Sequence, residues 1–298
     1  MKNPVGLQTV YWVGSVPNPD IYKIVDMTAD SGFDVIEFKA GDFVPLSVEA
    51  RRSLVKYIHD KGLDITVNGT GLKPERDTSS PDENSRRAGV DHLKHMLDLC
   101  ADMGVKYFSG IPYGLWNARP EIKDVLALKK ERAKRAIESL QEVAAHAQEL
   151  GIIMCAEIVN RFEQYTLNTV EEGIKFCDAV GNPSFKLLID TFHMNIEEDY
   201  IPESILKAHE AGHLGYIHVG ESNRRIPTGT KKSNIDWQAI AQSVKSCGYD
   251  GPFVMEPFVL AKSPLAFSVS LWRAFREPED IAGLKKDAAA GVKYLKSL

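Results

Sequence analysis

Eight short β-rich runs alternate with longer amphipathic stretches from one end of the chain to the other, and this alternation restricts the fold more than any other feature. The runs fall near 6–13 (GLQTVYWV), 34–39 (DVIEFK), 64–69 (DITVNG), 107–112 (YFSGIP), 152–159 (IIMCAEIV), 185–191 (FKLLIDT), 214–219 (LGYIHV) and 252–257 (PFVMEP). Glycines stand where a helix must close in a left-handed residue before the next strand: DSGF at 30–33, DKGL at 60–63, DMGV at 102–105, ELGI at 149–152 and SCGY at 246–249. Repeated strand-then-helix units build parallel sheets. The 298 residues would suit two average domains or one large barrel. No Pro/Gly/Ser-rich linker or shift in composition divides them, so the expectation is one domain over 1–298, an α/β fold of the (β/α)8 TIM-barrel type. An open, doubly wound sheet is the structural alternative, but GSVPNPD after the first run is no glycine-rich phosphate fingerprint.

Charge and apolar content narrow the function classes. With 44% hydrophobic and 26% charged residues the chain has a globular composition, and 36 Lys+Arg against 41 Asp+Glu leave a net charge of −5. That balance argues against binding nucleic acid through its phosphates and against a polybasic membrane anchor. No apolar stretch is long enough to cross a bilayer. The opening MKNPVGLQTVYWVG has no apolar run before a small-residue cleavage site, which gives a cytoplasmic location as the expectation. Cys100, Cys155, Cys177 and Cys247 are far apart without CxxC spacing and read as buried apolar thiols instead of disulfides or zinc ligands.

Active sites of such barrels sit where strands end and the following loops begin, so polar residues there are the candidates for chemistry. The fifth to eighth runs carry Glu157, Asp190, His218 and Glu256 at those places, each after an apolar run. Singly, each has a bland reading as a salt-bridged buried acid or a satisfied core histidine. Ends of neighbouring parallel strands are adjacent in a closed barrel, however, so the four can converge on one point. Three carboxylates in a dry site repel one another, and a divalent cation is the simplest compensation. Ligation by oxygen with one His and no Cys suits Mn²⁺, Co²⁺ or Mg²⁺ more than structural Zn²⁺.

EIVNRFEQY at 157–165, LLIDTFHMNIEED at 187–199, YIHVGESNR at 216–224 and VMEPF at 254–258 resemble the signature stretches of the ketose 3-epimerases. The likeness extends to GFDVIE at 32–37 and SSPD at 79–82, and is more specific in the second half. It implies a (β/α)8 isomerase that holds Mn²⁺ or Co²⁺, Mn²⁺ first, through the counterparts of Glu157, Asp190, His218 and Glu256. It also implies that Glu157 and Glu256 form the acid/base pair, one on each face of C3 of the substrate. The counterparts of Glu163, His193 and Arg224 contact substrate oxygens near C1 to C3, and the family assembles as homodimers or homotetramers. The candidate substrates are free ketoses: D-fructose/D-psicose, D-tagatose/D-sorbose or L-ribulose/L-xylulose. The chemistry accounts for the constellation independently. A proton on C3 of a ketose is hard to remove, a metal on the neighbouring oxygens stabilises the enediolate, and inversion requires one carboxylate on each face.

Substrate choice rests on the less specific first half. Tyr11 and Trp12, Asn68 and Gly69, and Tyr113 and Trp116 follow strand ends there, and Trp116 and Tyr11 are the expected aromatic faces for the C–H side of a sugar. Glu37, ending the second strand, reads either as a pocket acid or as a support for the metal ligands, the second being preferred. Two departures from the family pattern stand out. IPTGTKKSNIDW at 226–237 replaces a short glycine-rich turn, and HVGE at 218–221 replaces HTGE, losing a hydroxyl near the metal. Leu271, Trp272 and Phe275 near the C-terminus can pack on the barrel or on a partner, the barrel being the default. Rival readings are an aldose–ketose isomerase on the same barrel, a phosphorylated substrate held by Lys231 and Lys232, a non-catalytic sugar-binding barrel, and a DNA-repair endonuclease. The last needs many more strand-end histidines than His193 and His218.

Overall fold

The structure, a computed structural model, describes residues 1–15, 20–120, 123–230 and 232–298. Eight parallel strands close on themselves in chain order: β1 (Val5–Gln8), β2 (Val35–Lys39), β3 (Asp64–Asn68), β4 (Tyr107–Gly110), β5 (Ile153–Ile158), β6 (Phe185–Asp190), β7 (Leu214–Val219) and β8 (Phe253–Met255). Pairing of Val5, Gly6 and Leu7 with Phe253, Val254 and Met255 makes the closure, which leaves no sheet edge. The helices around the barrel are α1 (Ile21–Asp30), α2 (Val48–Asp60), α3 (Glu83–Asp102), α4 (Val125–Glu149), α5 (Val170–Val180), α6 (Thr191–Glu197), α7 (Ile201–Glu210), α8 (Trp237–Cys247) and α9 (Ile281–Ser297). The expected (β/α)8 barrel is therefore the fold, and each of the eight runs carries a strand. The five glycines singled out above, Gly32, Gly62, Gly104, Gly151 and Gly248, all have left-handed φ values, from 69° to 85°, just past a helix end.

Strand periodicity places the site. Val35, Cys155, Leu188, Tyr216 and Val254 pack as a cluster separate from the larger core between strands and helices, and they fill the barrel interior. Gly6 belongs to the same layer, since a Cβ on it would lie 2.7 Å from Val254 Cγ2. Side chains alternate across a strand, so the residue two positions further on points inward as well. Those residues are Gln8, Glu37, Glu157, Asp190, His218 and Glu256. A polar layer thus sits directly above an apolar plug, at the end of the barrel where the loops to the helices begin.

The first strand is shorter than expected. It stops at Gln8, its last partner being Glu37, and the chain turns through a 3₁₀ segment at Thr9–Tyr11. This turn carries Tyr11 and Trp12 outward, beneath the helices. The Tyr11 hydroxyl donates to the Leu284 carbonyl on α9 at 2.8 Å, and Trp12 Nε1 donates to Thr28 Oγ1 on α1 at 3.0 Å. Both rings are buried in the outer core, so Tyr11 does not reach the substrate cavity, contrary to the expectation. At the C-terminus Phe275 packs on the core, whereas Trp272 is 71% exposed and lies against Phe267, which is 80% exposed. Among the described residues no helix is long and apolar enough to cross a membrane.

Candidate metal centre and active site

Glu157, Asp190, His218 and Glu256 each bring a ligand atom to one place, all within 4.8 Å of one another. Their strands are consecutive, and Asp190 is fixed further because its Oδ1 caps α6 by accepting from the Phe192 N–H at 2.8 Å. His218 is completely buried, with Nε2 2.9 Å from Glu37 Oε1. Its Nδ1 has no hydrogen-bond partner and faces Glu157 Oε1 at 4.0 Å and Glu256 Oε2 at 3.9 Å. A carboxylate that takes the Nε2 proton leaves the Nδ1 lone pair aimed at the cluster, which is how metal-binding histidines are oriented. Glu37 thus supports the histidine, the second of its two expected roles.

The electrostatics point the same way. Burial raises the Glu157 carboxyl well above the ordinary range, and Glu256 and Asp190 add to it against the opposing pull of His218. Burial raises Glu256 too, against His218 and Arg224. For His218 burial works against the charged ring, but Glu37, Glu256 and Glu157 outweigh it and push the imidazole up to about 10. Without a cation, then, the cluster relieves its negative charge by holding protons. An orphaned Nδ1 beside three converging carboxylates fits a divalent ion, which would replace those protons.

The expected substrate residues gather around this centre, apart from Tyr11. His193 Nδ1 accepts from the Asn160 N–H at 3.0 Å and from Asn160 Nδ2 at 2.8 Å. The Asn160 amide is itself fixed because its Oδ1 accepts from the Phe162 N–H at 2.9 Å. The proton of His193 is therefore on Nε2, which stands 3.6 Å from Glu157 Oε1 and 3.9 Å from Asp190 Oδ2, too far for hydrogen bonds and free for another oxygen. Burial lowers this histidine to about 4, so it is a neutral donor. Arg224 lies between the rings of Phe192 and Phe258, 4.0 and 4.9 Å from their centroids. It pairs with Glu163 and reaches Glu256 Oε2 at 3.5 Å, from a left-handed backbone with φ of 60°. Trp116 Nε1 donates to the other oxygen of Glu163 at 2.8 Å. Burial would raise Glu163, but Arg224, His193 and Trp116 together hold it down at about 2. Arg161 pairs with Glu197 instead, at 2.7 Å, leaving Glu163 to the site.

Above the polar layer opens a cavity of about 390 Å³, within the range of small-molecule sites. Glu157, Glu256, Glu163, His193, Arg224 and Trp116 line one side, whereas Asp190 and His218 lie beneath it. Asn68, Gly69 and Gly110 line the other. A Cβ on Gly110, at φ of 132°, would lie 3.0 Å from the Gly69 nitrogen, so the ends of β3 and β4 approach here as bare backbone. Tyr113 stays outside the cavity, donating to the Glu157 carbonyl at 2.6 Å and steadying β5. Lys231 lies outside the described residues, and Lys232 lines a separate, smaller cleft with Glu221 and Asn223. Sequence reasoning missed Asn160 and Gln8. Asn160 offers no local signal, but Gln8 is found by the same alternation as Glu37, two residues past an inward glycine.

Residues 25–292 match the model of the xylose isomerase-like TIM-barrel family. The D-psicose 3-epimerase of Ruminiclostridium cellulolyticum is 32% identical over 289 residues, which cover 97% of this chain and 95% of that protein. The L-ribulose 3-epimerase of Mesorhizobium japonicum is 33% identical over 274 residues, or 90% and 86% of the two chains. The crystal structure of D-psicose 3-epimerase with D-tagatose from Clostridium cellulolyticum superposes with a TM-score of 0.86 at 30% identity, covering 99% of this chain and 98% of that one. Closed barrel, matched length and identity together place this chain in the xylose isomerase-like TIM-barrel family and, within it, among the ketose 3-epimerases.

Proposed function

We propose that this protein is a carbohydrate epimerase that inverts C3 of a free ketose in a divalent-metal-dependent reaction, with Glu157 and Glu256 as its acid/base pair. The observation that carries the reading is the placement of these two carboxylates on β5 and just past β8, flanking His218 Nδ1 at 4.0 and 3.9 Å with β6 and β7 between them. Inversion requires a proton to leave one face of the carbon and another to arrive at the opposite face. Burial raises both carboxyls, which suits a pair in which one is ionised to take the proton and the other protonated to return one.

Asp190 and His218, with the same two glutamates, would hold the cation, for which Mn²⁺ is the first choice and Co²⁺ or Mg²⁺ the alternatives. When bound, it supplies Lewis-acid stabilisation of the enediolate oxygens. His193 donates from Nε2 to a substrate oxygen, and Arg224 places positive charge beside it. Glu163, held ionised by Arg224, orients a hydroxyl, and Trp116 sets an aromatic face against the sugar. A homo-oligomer in the cytoplasm completes the proposal, consistent with four free cysteines and with the exposed Phe267 and Trp272.

The test is turnover of D-fructose, D-tagatose, D-psicose and L-ribulose by the Mn²⁺-reconstituted protein, with products identified by chromatography. Formation of the C3 epimer is expected. An aldose product would assign the chain to aldose–ketose isomerisation instead, and no turnover with any sugar would leave a binding protein. Running D-fructose beside its 6-phosphate tests the preference for a free sugar.

A further inference from the structure

Gln8 enters the site from β1, which pairs with β8 where the barrel closes and so stands next to Glu256. It is 1% exposed and lines the cavity, and its Nε2 donates to two carboxylates at once, Glu256 Oε1 at 2.8 Å and Glu37 Oε1 at 3.1 Å. An amide oxygen in that position would face two acceptors, so the neighbours fix which way the amide points. Glu37 Oε1 is also the atom that takes His218 Nε2. The amide therefore ties the carboxylate that orients His218 to the carboxylate of Glu256.

The residue type is informative. Gln8 Oε1 is buried without a hydrogen-bond partner, an arrangement that opposes folding. An apolar side chain in its place would avoid that penalty, so the contacts of Nε2 are what the amide contributes. A lysine there would add a positive charge and compete with a cation for Glu37 and Glu256, whereas an amide donates without charge. With Oε1 of Glu256 engaged by Gln8, its Oε2 turns toward His218 Nδ1 and Arg224, at 3.9 and 3.5 Å.

We infer that Gln8 is a positioning residue that braces Glu256, fixing the rotamer in which one oxygen faces the metal centre and the reacting carbon. The inference rests on the reading of Glu256 as metal ligand and acid/base group. Gln8→Met and Gln8→Leu both remove the amide while roughly keeping its volume, and agreement between them separates a lost hydrogen bond from misfit. Each variant, reconstituted with Mn²⁺, is assayed for kcat and KM, and its Mn²⁺ affinity is measured without sugar by electron paramagnetic resonance. The expected result is a loss of about tenfold or more in kcat with KM within about twofold, and Mn²⁺ binding weaker by about tenfold. Parent-like kcat and Mn²⁺ affinity, or a change in KM alone, would overturn the inference. If the parent turns over no ketose, the functional reading fails while the Mn²⁺ titration still decides whether Gln8 braces Glu256.

Discussion

The two halves of this barrel do different work with the same architecture. From β5 to β8 every strand delivers an ionisable side chain to one point, and the resulting repulsion makes that half the candidate cation site. From β1 to β4 the inward residues include Gln8, Glu37 and Asn68, and the loops that follow line the cavity with Gly41, Gly69, Gly71, Gly110 and Gly114 beside Lys39 and Asp42. One half brings the four candidate ligands together and the other supplies space and bracing. The shared scaffold allows this because side-chain alternation fixes where residues point and leaves their chemistry open.

The largest effect that could break this contrast is expected in the half that carries the candidate ligands. Glu157→Gln and Glu256→Gln should each lower exchange of the C3 proton with D₂O by about 10³-fold, the scale of a lost acid/base group. Parent-like exchange in either variant would remove that residue from the proposed pair.

Chelation should abolish turnover and lower the thermal midpoint. A ligand present at about a hundred times its dissociation constant stabilises by roughly 2.7 kcal/mol, and calorimetry with and without Mn²⁺ reads the difference. The sign with pH follows from the raised groups. Because Glu157, Glu256 and His218 hold protons more tightly in the ion-free protein, binding must displace them. Affinity should therefore fall as pH falls, and titrations in buffers of different ionisation enthalpy should detect proton release. Affinity independent of pH between 6 and 8 (about two decades of proton activity) would contradict the site as drawn.

Smaller effects are expected from the other half. Gly110→Ala adds a Cβ at a left-handed φ against Gly69, so it should destabilise by about 1–2 kcal/mol and raise KM while leaving Mn²⁺ affinity unchanged. A change in metal affinity would show that the halves are less separate than their geometry indicates. Smallest of all, Tyr11→Phe removes the hydrogen bond to Leu284 and should cost about 1 kcal/mol in denaturant unfolding with kcat and KM intact. A kinetic effect would return Tyr11 to the substrate.

How legible the site was in the sequence follows the same division. Glu157, Asp190, His218 and Glu256 could be found because each is a polar interruption in an apolar run, and burial of a charge is conspicuous wherever the fold is recognised. Glu163, His193 and Arg224 came from motif likeness and Trp116 from its place after the fourth strand, and the structure brings all four around one cavity. Tyr11 went astray because an apolar aromatic run reads equally well as strand or as outer core, and periodicity cannot mark where pairing with β2 ends. Asn160 escaped because a neutral amide carries no such signal until its partners are known, and Gln8, which the alternation places inward, has no charge to make its burial conspicuous.

By itself the sequence determined the barrel, its eight strand positions and the four candidate ligands, since strand period, helix-closing glycines and buried charges are local properties of the chain. Only the tertiary structure decided that His218 leaves Nδ1 unpartnered, that Asn160 puts the His193 proton on Nε2, and that Gln8 joins Glu37 to Glu256. These are matters of hydrogen-bond direction between residues distant in sequence, and such directions exist only once closure of the barrel has brought the strands together.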